Sequence, residues 1–125
     1  MPAMIGRALV ILVAALLLVD GLLQLASAPM LVHALTEIGF APDAGRTIGL
    51  VTLSCALLLA IPQTRLLGAV LTTGFLGGAI CAHLRVGEVG SPPQLVCLVL
   101  GAAMWTGLLV ADHRLRPLFD RRPME

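Results

Sequence analysis

The chain has 125 residues, of which 58% are hydrophobic and 12% charged, and its formal net charge is +1. Soluble domains carry about twice that charged fraction, so a water-soluble domain of this size would have too few polar residues to cover its surface. The near-neutral charge and the 3% aromatic content also argue against nucleic-acid binding, which needs clustered basic charge and stacking side chains. The composition therefore predicts a protein embedded in a lipid bilayer.

Four apolar stretches are predicted to span the membrane as helices, because a spanning helix needs about 20 mostly apolar residues. The predicted spans cover residues 8–28, 44–61, 66–84 and 92–111. Residues 1–28 also resemble a signal peptide. The proline that follows this segment would obstruct cleavage and the apolar stretch is long enough to span, so we expect it to be retained.

A short amphipathic helix is predicted between the first two spans, over residues 30–40. Its polar face carries His33 and Glu37, and we expect it to end at Gly39 and Pro42. Its apolar face consists of Leu31, Leu35 and Ile38. At this length the segment is too short to span, so it is expected to lie on the membrane surface or to cap the helices.

The predicted architecture is an all-α, integral membrane, up-down-up-down four-helix bundle that forms a single transmembrane domain over residues 1–125. Short links between spans make neighbouring helices antiparallel. Six of the eight arginines lie on the side of the membrane that holds both termini, four of them in a basic tail over residues 112–125. The other side holds Arg46 and Arg85, so the positive-inside rule places both termini in the cytoplasm.

Asp20 is the most informative candidate for function, because an ionisable group inside a span is costly and usually has a role. Gln24 follows one helical turn later on the same face, so the two side chains form one polar stripe. One interpretation is a proton or ligand site. The other is a structural hydrogen bond that holds two helices together.

The third predicted span carries a stripe of small residues. Gly74, Gly78 and Ala82 follow small-xxx-small spacing, and Gly77 lies beside them, so we expect another helix to pack closely on this face. A phosphate-binding loop is excluded because the glycines lie inside an apolar stretch and the chain has no lysine.

His83 and Arg85 stand at the end of that span, where they could bind an anionic or quinone-like headgroup or neutralise helix C-terminal carbonyl groups. Cys81 and Cys97 lie near the same surface and could form a disulfide, although such cysteines are more often small buried residues. No metal site is predicted, since the cysteines form no CxxC and have no histidine at ligand spacing. No catalytic constellation can be assembled from the spacing.

Several segments together resemble the DoxX-like family of small bacterial membrane proteins. The most specific of them reads GGA followed by AHLRVG, over residues 77–87, and the resemblance covers about residues 10–118. The other segments are LVDGLLQL (18–25), IGFAP (38–42), IG (48–49), IPQTR (61–65), LGA (67–69) and LTTGFLGGA (71–79). The sequence departs from the family pattern at Gln24, where a lysine is expected, and at Phe40 and Phe75, where tyrosine is common.

The resemblance implies a four-helix protein of the bacterial inner membrane, related to DoxX proteins that are associated with membrane oxidoreductases, including a subunit of thiosulfate:quinone oxidoreductase. We therefore expect an accessory component of a redox or stress-response system without catalysis of its own. Its partners would be lipid and a membrane oxidoreductase subunit or a second copy, and a quinone is the cofactor to consider. The alternatives are a proton-coupled transporter that uses Asp20 and a structural scaffold.

Overall fold

A computed structural model describes residues 2–41, 43–115 and 117. Within these residues the chain forms five α-helices and no strand, so the all-helical prediction is confirmed. The helices are α1 (Pro2–Leu25), α2 (Pro29–Glu37), α3 (Ala44–Ala60), α4 (Arg65–Arg85) and α5 (Pro92–Ala111). Of the predicted basic tail, residues 116 and 118–125 lie outside the described part, and so does Pro42.

Prolines determine where several of these helices begin. Pro29 and Pro92 occupy the first turn of α2 and α5, where the missing N–H group costs nothing. Pro62 opens a single 3₁₀ turn, Pro62–Thr64, that leads into α4. The α1 helix ends at Leu25 rather than at the predicted limit of residue 28, because Ser27 adopts a left-handed backbone with φ of +54° and Pro29 disfavours a helical residue at position 28.

Three helical segments are long and apolar enough to cross a membrane, namely Pro2–Leu25, Pro62–Arg85 and Pro92–Ala111. The α3 helix is apolar but has 17 residues, about 26 Å at 1.5 Å per residue. Many leucine, isoleucine and valine side chains on the outer faces of the helices are exposed, and such a surface suits lipid rather than water. The amphipathic helix predicted after the first span is present as α2.

The helices pack around an apolar core to which α1, α3, α4 and α5 all contribute. The α1 helix contacts α3 and α5, and α4 contacts the same two helices. The largest fully buried apolar side chains are Val10, Val13, Leu59, Met104 and Leu108. Across α4 and α5, the indole N–H of Trp105 donates a hydrogen bond of 2.8 Å to Oγ1 of Thr73.

Glycines allow the closest approaches between helices. A Cβ atom on Gly6 would lie 2.5 Å from the carbonyl oxygen of Gly107 in α5, and one on Gly49 would lie 2.9 Å from that of Gly21 in α1. A Cβ atom on Gly68, near the start of α4, would lie 2.5 Å from the backbone nitrogen of Leu59 in α3. These distances are shorter than any van der Waals contact, so the crossings depend on glycine.

The predicted packing stripe on α4 does not meet another helix of the described chain. A Cβ atom on Gly74, Gly77 or Gly78 would have no neighbouring atom within 4 Å. Instead, Gly74, Gly78 and Ala82 line an open space beside the helix. Small-residue spacing identifies a smooth face without determining what covers it, so packing of a helix on this face stays a prediction.

Candidate functional site

A cavity of about 520 Å³ lies between α1, α2, α3, α4 and the first turn of α5. Most of the residues that line it are apolar or small, and three are polar: Asp20, Gln24 and His83. The apolar and small residues are Leu31, Ala34, Leu35, Ile38, Phe40, Ile48, Gly74, Phe75, Gly78, Ala79, Ala82 and Pro93. The volume and the lining are typical of a site for a small organic molecule.

Asp20 and Gln24 lie together on the cavity wall, as their spacing predicted. The side-chain amide of Gln24 donates a hydrogen bond of 2.6 Å from Nε2 to Oδ2 of Asp20. Gln24 is only 7% exposed, and its Oε1 atom has no hydrogen-bond partner among the described residues. The pair therefore joins two positions of one helix and not two helices, and it leaves one buried acceptor unused.

His83 also lines the cavity, from the last turn of α4. Its Nδ1 atom is hydrogen-bonded to Oε2 of Glu88, which follows the helix. The sequence predicted a polar group at the end of this span. The cavity places this group, His83, in the same lining as Asp20 and Gln24. Glu88 was not predicted as its partner.

Arg85 does not line the cavity, but it binds the end of α2, the helix that forms one wall of the cavity. Its Nη2 atom donates a hydrogen bond of 2.9 Å to the carbonyl oxygen of Ile38, the residue that ends α2. Of the two predicted uses of this arginine, the structure shows binding to a helix C-terminal carbonyl, but that of α2 rather than of α4. Gly39 follows with φ of +91°, and a Cβ atom there would lie 2.6 Å from Nη2 of Arg85.

The α2 helix forms one wall of the cavity. Leu31, Leu35 and Ile38, the predicted apolar face, all line the cavity. His33 and Glu37 lie on the opposite, exposed face, where their side chains are 3.1 Å apart. The amphipathic pattern thus separates a cavity-facing side from a polar side.

Gln94 is a residue that sequence reasoning missed. It is 4% exposed, its Oε1 atom accepts a hydrogen bond of 2.7 Å from the backbone nitrogen of Gly90, and its Nε2 atom donates one of 3.1 Å to the carbonyl oxygen of Ile80. These bonds join the loop before α5 to α4 beside the cavity. The signal was present in the sequence, since Ser91 and Gln94 have the spacing of a capping box at a helix start.

Cysteine chemistry does not contribute to the cavity. Cys55, Cys81 and Cys97 are all free thiols, so Cys81 and Cys97 form no disulfide in this structure. Within the described residues, no group of three or more His, Cys, Asp or Glu side chains is placed to hold a metal ion.

The fold and the site define a class of protein: an all-helical chain with membrane-length apolar helices beside a cavity that is lined mostly by apolar and small residues and by three polar side chains. A sequence model of the DoxX-like family matches residues 8–110, which include every polar residue of the cavity. The chain therefore belongs to the DoxX-like family, and the resemblance seen in its sequence is confirmed. No curated protein and no solved structure matches it. The family and the apolar helices together indicate a membrane protein.

Proposed function

We propose that this protein is an accessory component of a membrane redox or stress-response system, without catalysis of its own, and that its cavity binds an apolar molecule with a polar headgroup, such as a quinone. The observation that carries the proposal is the cavity of about 520 Å³, which is apolar except for Asp20, Gln24 and His83. Cavities of this kind hold a ligand by its apolar body and orient it by a few polar contacts.

The side chains that line the cavity favour binding over chemistry. Asp20 is hydrogen-bonded to Gln24 and His83 to Glu88, and none of the described lining residues is a serine, threonine or cysteine. A nucleophile and a base in mutual contact, which covalent catalysis needs, are therefore not provided by these residues. An accessory role also implies a protein partner, either a membrane oxidoreductase subunit or a second copy of this chain.

The proposal is tested by purification in a mild detergent, followed by mass spectrometry of the retained proteins, lipids and small molecules. We expect a quinone-class molecule or an oxidoreductase subunit to be retained, and we expect the purified protein alone to reduce neither quinones nor thiols. Turnover by the protein alone would contradict the accessory role. Proton-coupled uptake into vesicles that Asp20→Asn abolishes would instead support the transporter.

We further propose that α3 also crosses the membrane, so that the chain forms an up-down-up-down four-helix bundle in the bacterial inner membrane with both termini in the cytoplasm. Support comes from the packing of α3 against both α1 and α4, which are long enough to span, and from the arginine distribution.

Single cysteines introduced at Arg46 and at Gln63 test this topology. In a cysteine-free background, an impermeant thiol reagent applied to intact spheroplasts should label the first and not the second. Labelling of both, or only of the second, would overturn the topology.

A further inference from the structure

The polar groups on the cavity wall all leave hydrogen-bond acceptors for a ligand. Gln24 donates one of the two hydrogens on Nε2 to Asp20, and its Oε1 atom, an acceptor only, has no partner in the described chain. As a carboxylate, Asp20 also offers only acceptors, and one of its oxygens, Oδ2, receives the bond from Gln24. The second hydrogen of Gln24 Nε2 is then the one donor left at this part of the cavity, against several acceptors: the free Oε1 of Gln24 and the carboxylate oxygens of Asp20.

His83 has the same character. The carboxylate of Glu88 can only accept, so the proton of a neutral imidazole lies on Nδ1, the atom that contacts Glu88. The other ring nitrogen, Nε2, then carries a lone pair. His83 lines the cavity, so a neutral imidazole with this tautomer again offers the ligand an acceptor.

A buried acceptor without a donor is destabilising, and native proteins leave few of them. The Oε1 atom of Gln24 is such an acceptor, since Gln24 is only 7% exposed and lines the cavity. A ligand headgroup that donates a hydrogen bond would satisfy it. A headgroup that only accepts, such as an ether or a carbonyl, would leave this Oε1 atom unpaired, and the second hydrogen on Nε2 is the one donor that Gln24 could offer it.

We infer that the cavity selects its ligand by a hydroxyl group: it takes an apolar molecule with a phenol, hydroquinone or alcohol headgroup in preference to the matching ether or carbonyl compound. The inference rests on the proposed function, because it concerns the same cavity. For a quinone-class ligand it means that the reduced form, which carries two hydroxyl groups, binds more tightly than the oxidised form.

Two probes that differ by one hydrogen-bond donor test this inference: para-nonylphenol and para-nonylanisole. Equilibrium binding of each is measured with the full-length protein in lipid nanodiscs. Two variants identify binding in the cavity. Gly78→Leu places a large side chain in the cavity and should remove the binding, whereas Gly77→Leu lies outside the cavity and should leave it unchanged. We expect the phenol to bind about tenfold more tightly than the anisole, the effect of one hydrogen bond.

Gln24→Met should reduce this preference to less than about threefold, because methionine keeps the approximate size of the side chain but not its oxygen. The matched control is Gln63→Met, at an exposed glutamine that does not line the cavity, and it should leave the preference unchanged. The wild-type comparison stands on its own if Gln24→Met fails to fold. Measuring the reduced and oxidised forms of one short-tailed quinone gives a second comparison in the wild-type protein.

The outcomes separate the inference from the proposed function. Equal cavity binding of the phenol and the anisole would overturn hydroxyl selection and leave the apolar binding site in place. Tighter binding of the anisole, or of the oxidised quinone, would also overturn it. Failure of every probe to bind in the cavity would overturn both the inference and the proposed ligand site.

Discussion

Gly68→Ala is expected to lower the free energy of unfolding by about 1–3 kcal/mol, the usual cost of forcing extra atoms into a packed site. The new Cβ atom would lie 2.5 Å from the backbone nitrogen of Leu59 and 2.8 Å from its Cα atom. These are backbone atoms of the last turn of α3, and the link to α4 is a single 3₁₀ turn, so neither helix can move away freely. The measurement is thermal and denaturant unfolding in one detergent.

Gly77→Ala provides the control on the same helix. Its Cβ atom would meet no neighbouring atom within 4 Å in the described chain, and alanine favours a helix over glycine by up to about 1 kcal/mol. We therefore expect unchanged or slightly higher stability. If the two substitutions had the same effect, the close crossing of α3 and α4 would be refuted.

Arg85→Ala is expected to loosen α2 over the cavity. The variant loses the hydrogen bond from a charged guanidinium group to the carbonyl oxygen of Ile38, and such bonds contribute about 1.5–3 kcal/mol. None of the residues within α2 itself is fully buried, so its apolar contacts with the other helices are only partial and this bond is a main part of its attachment. Backbone amide exchange over residues 29–37 should become at least about tenfold faster, while exchange in the core of α1 stays the same.

Arg46→Ala serves as the comparison, because it removes an equal charge from an exposed position. The described residues show no hydrogen bond from the Arg46 side chain. It should leave the exchange of α2 unchanged. Arg85→Lys should restore part of the protection, since lysine keeps the charge without the planar fork of the guanidinium group. Unaltered exchange in Arg85→Ala would show that α2 is held by its apolar face alone.

Much of the helical framework was predictable from local signals. Long apolar stretches and the prolines at 29, 62 and 92 located the helices, and the amphipathic pattern located α2. The contact between Asp20 and Gln24 was predictable because residues four apart lie on one face of a helix. These features depend on neighbours in the sequence, which is why periodicity and spacing were enough.

The remaining features depend on residues far apart in the sequence. Arg85 bonds to a backbone carbonyl 47 positions away, and a carbonyl group carries no side-chain signature that would reveal it. Gly74, Gly77 and Gly78 were expected to meet a helix, yet the close contacts involve Gly6, Gly49 and Gly68, whose partners are set by the way whole helices cross. The cavity itself follows from that crossing and from the position of α2.

The hydrogen bond between Trp105 and Thr73 gives the protein an internal optical reporter. The chain contains one tryptophan and no tyrosine, so all of its near-ultraviolet emission above the weak contribution of phenylalanine comes from a single indole. That indole joins α4 to α5, and its environment changes when the two helices separate. The spectrum of the unlabelled protein therefore follows one defined helix pair, and a shift of its emission maximum marks the opening of that pair in any detergent or lipid.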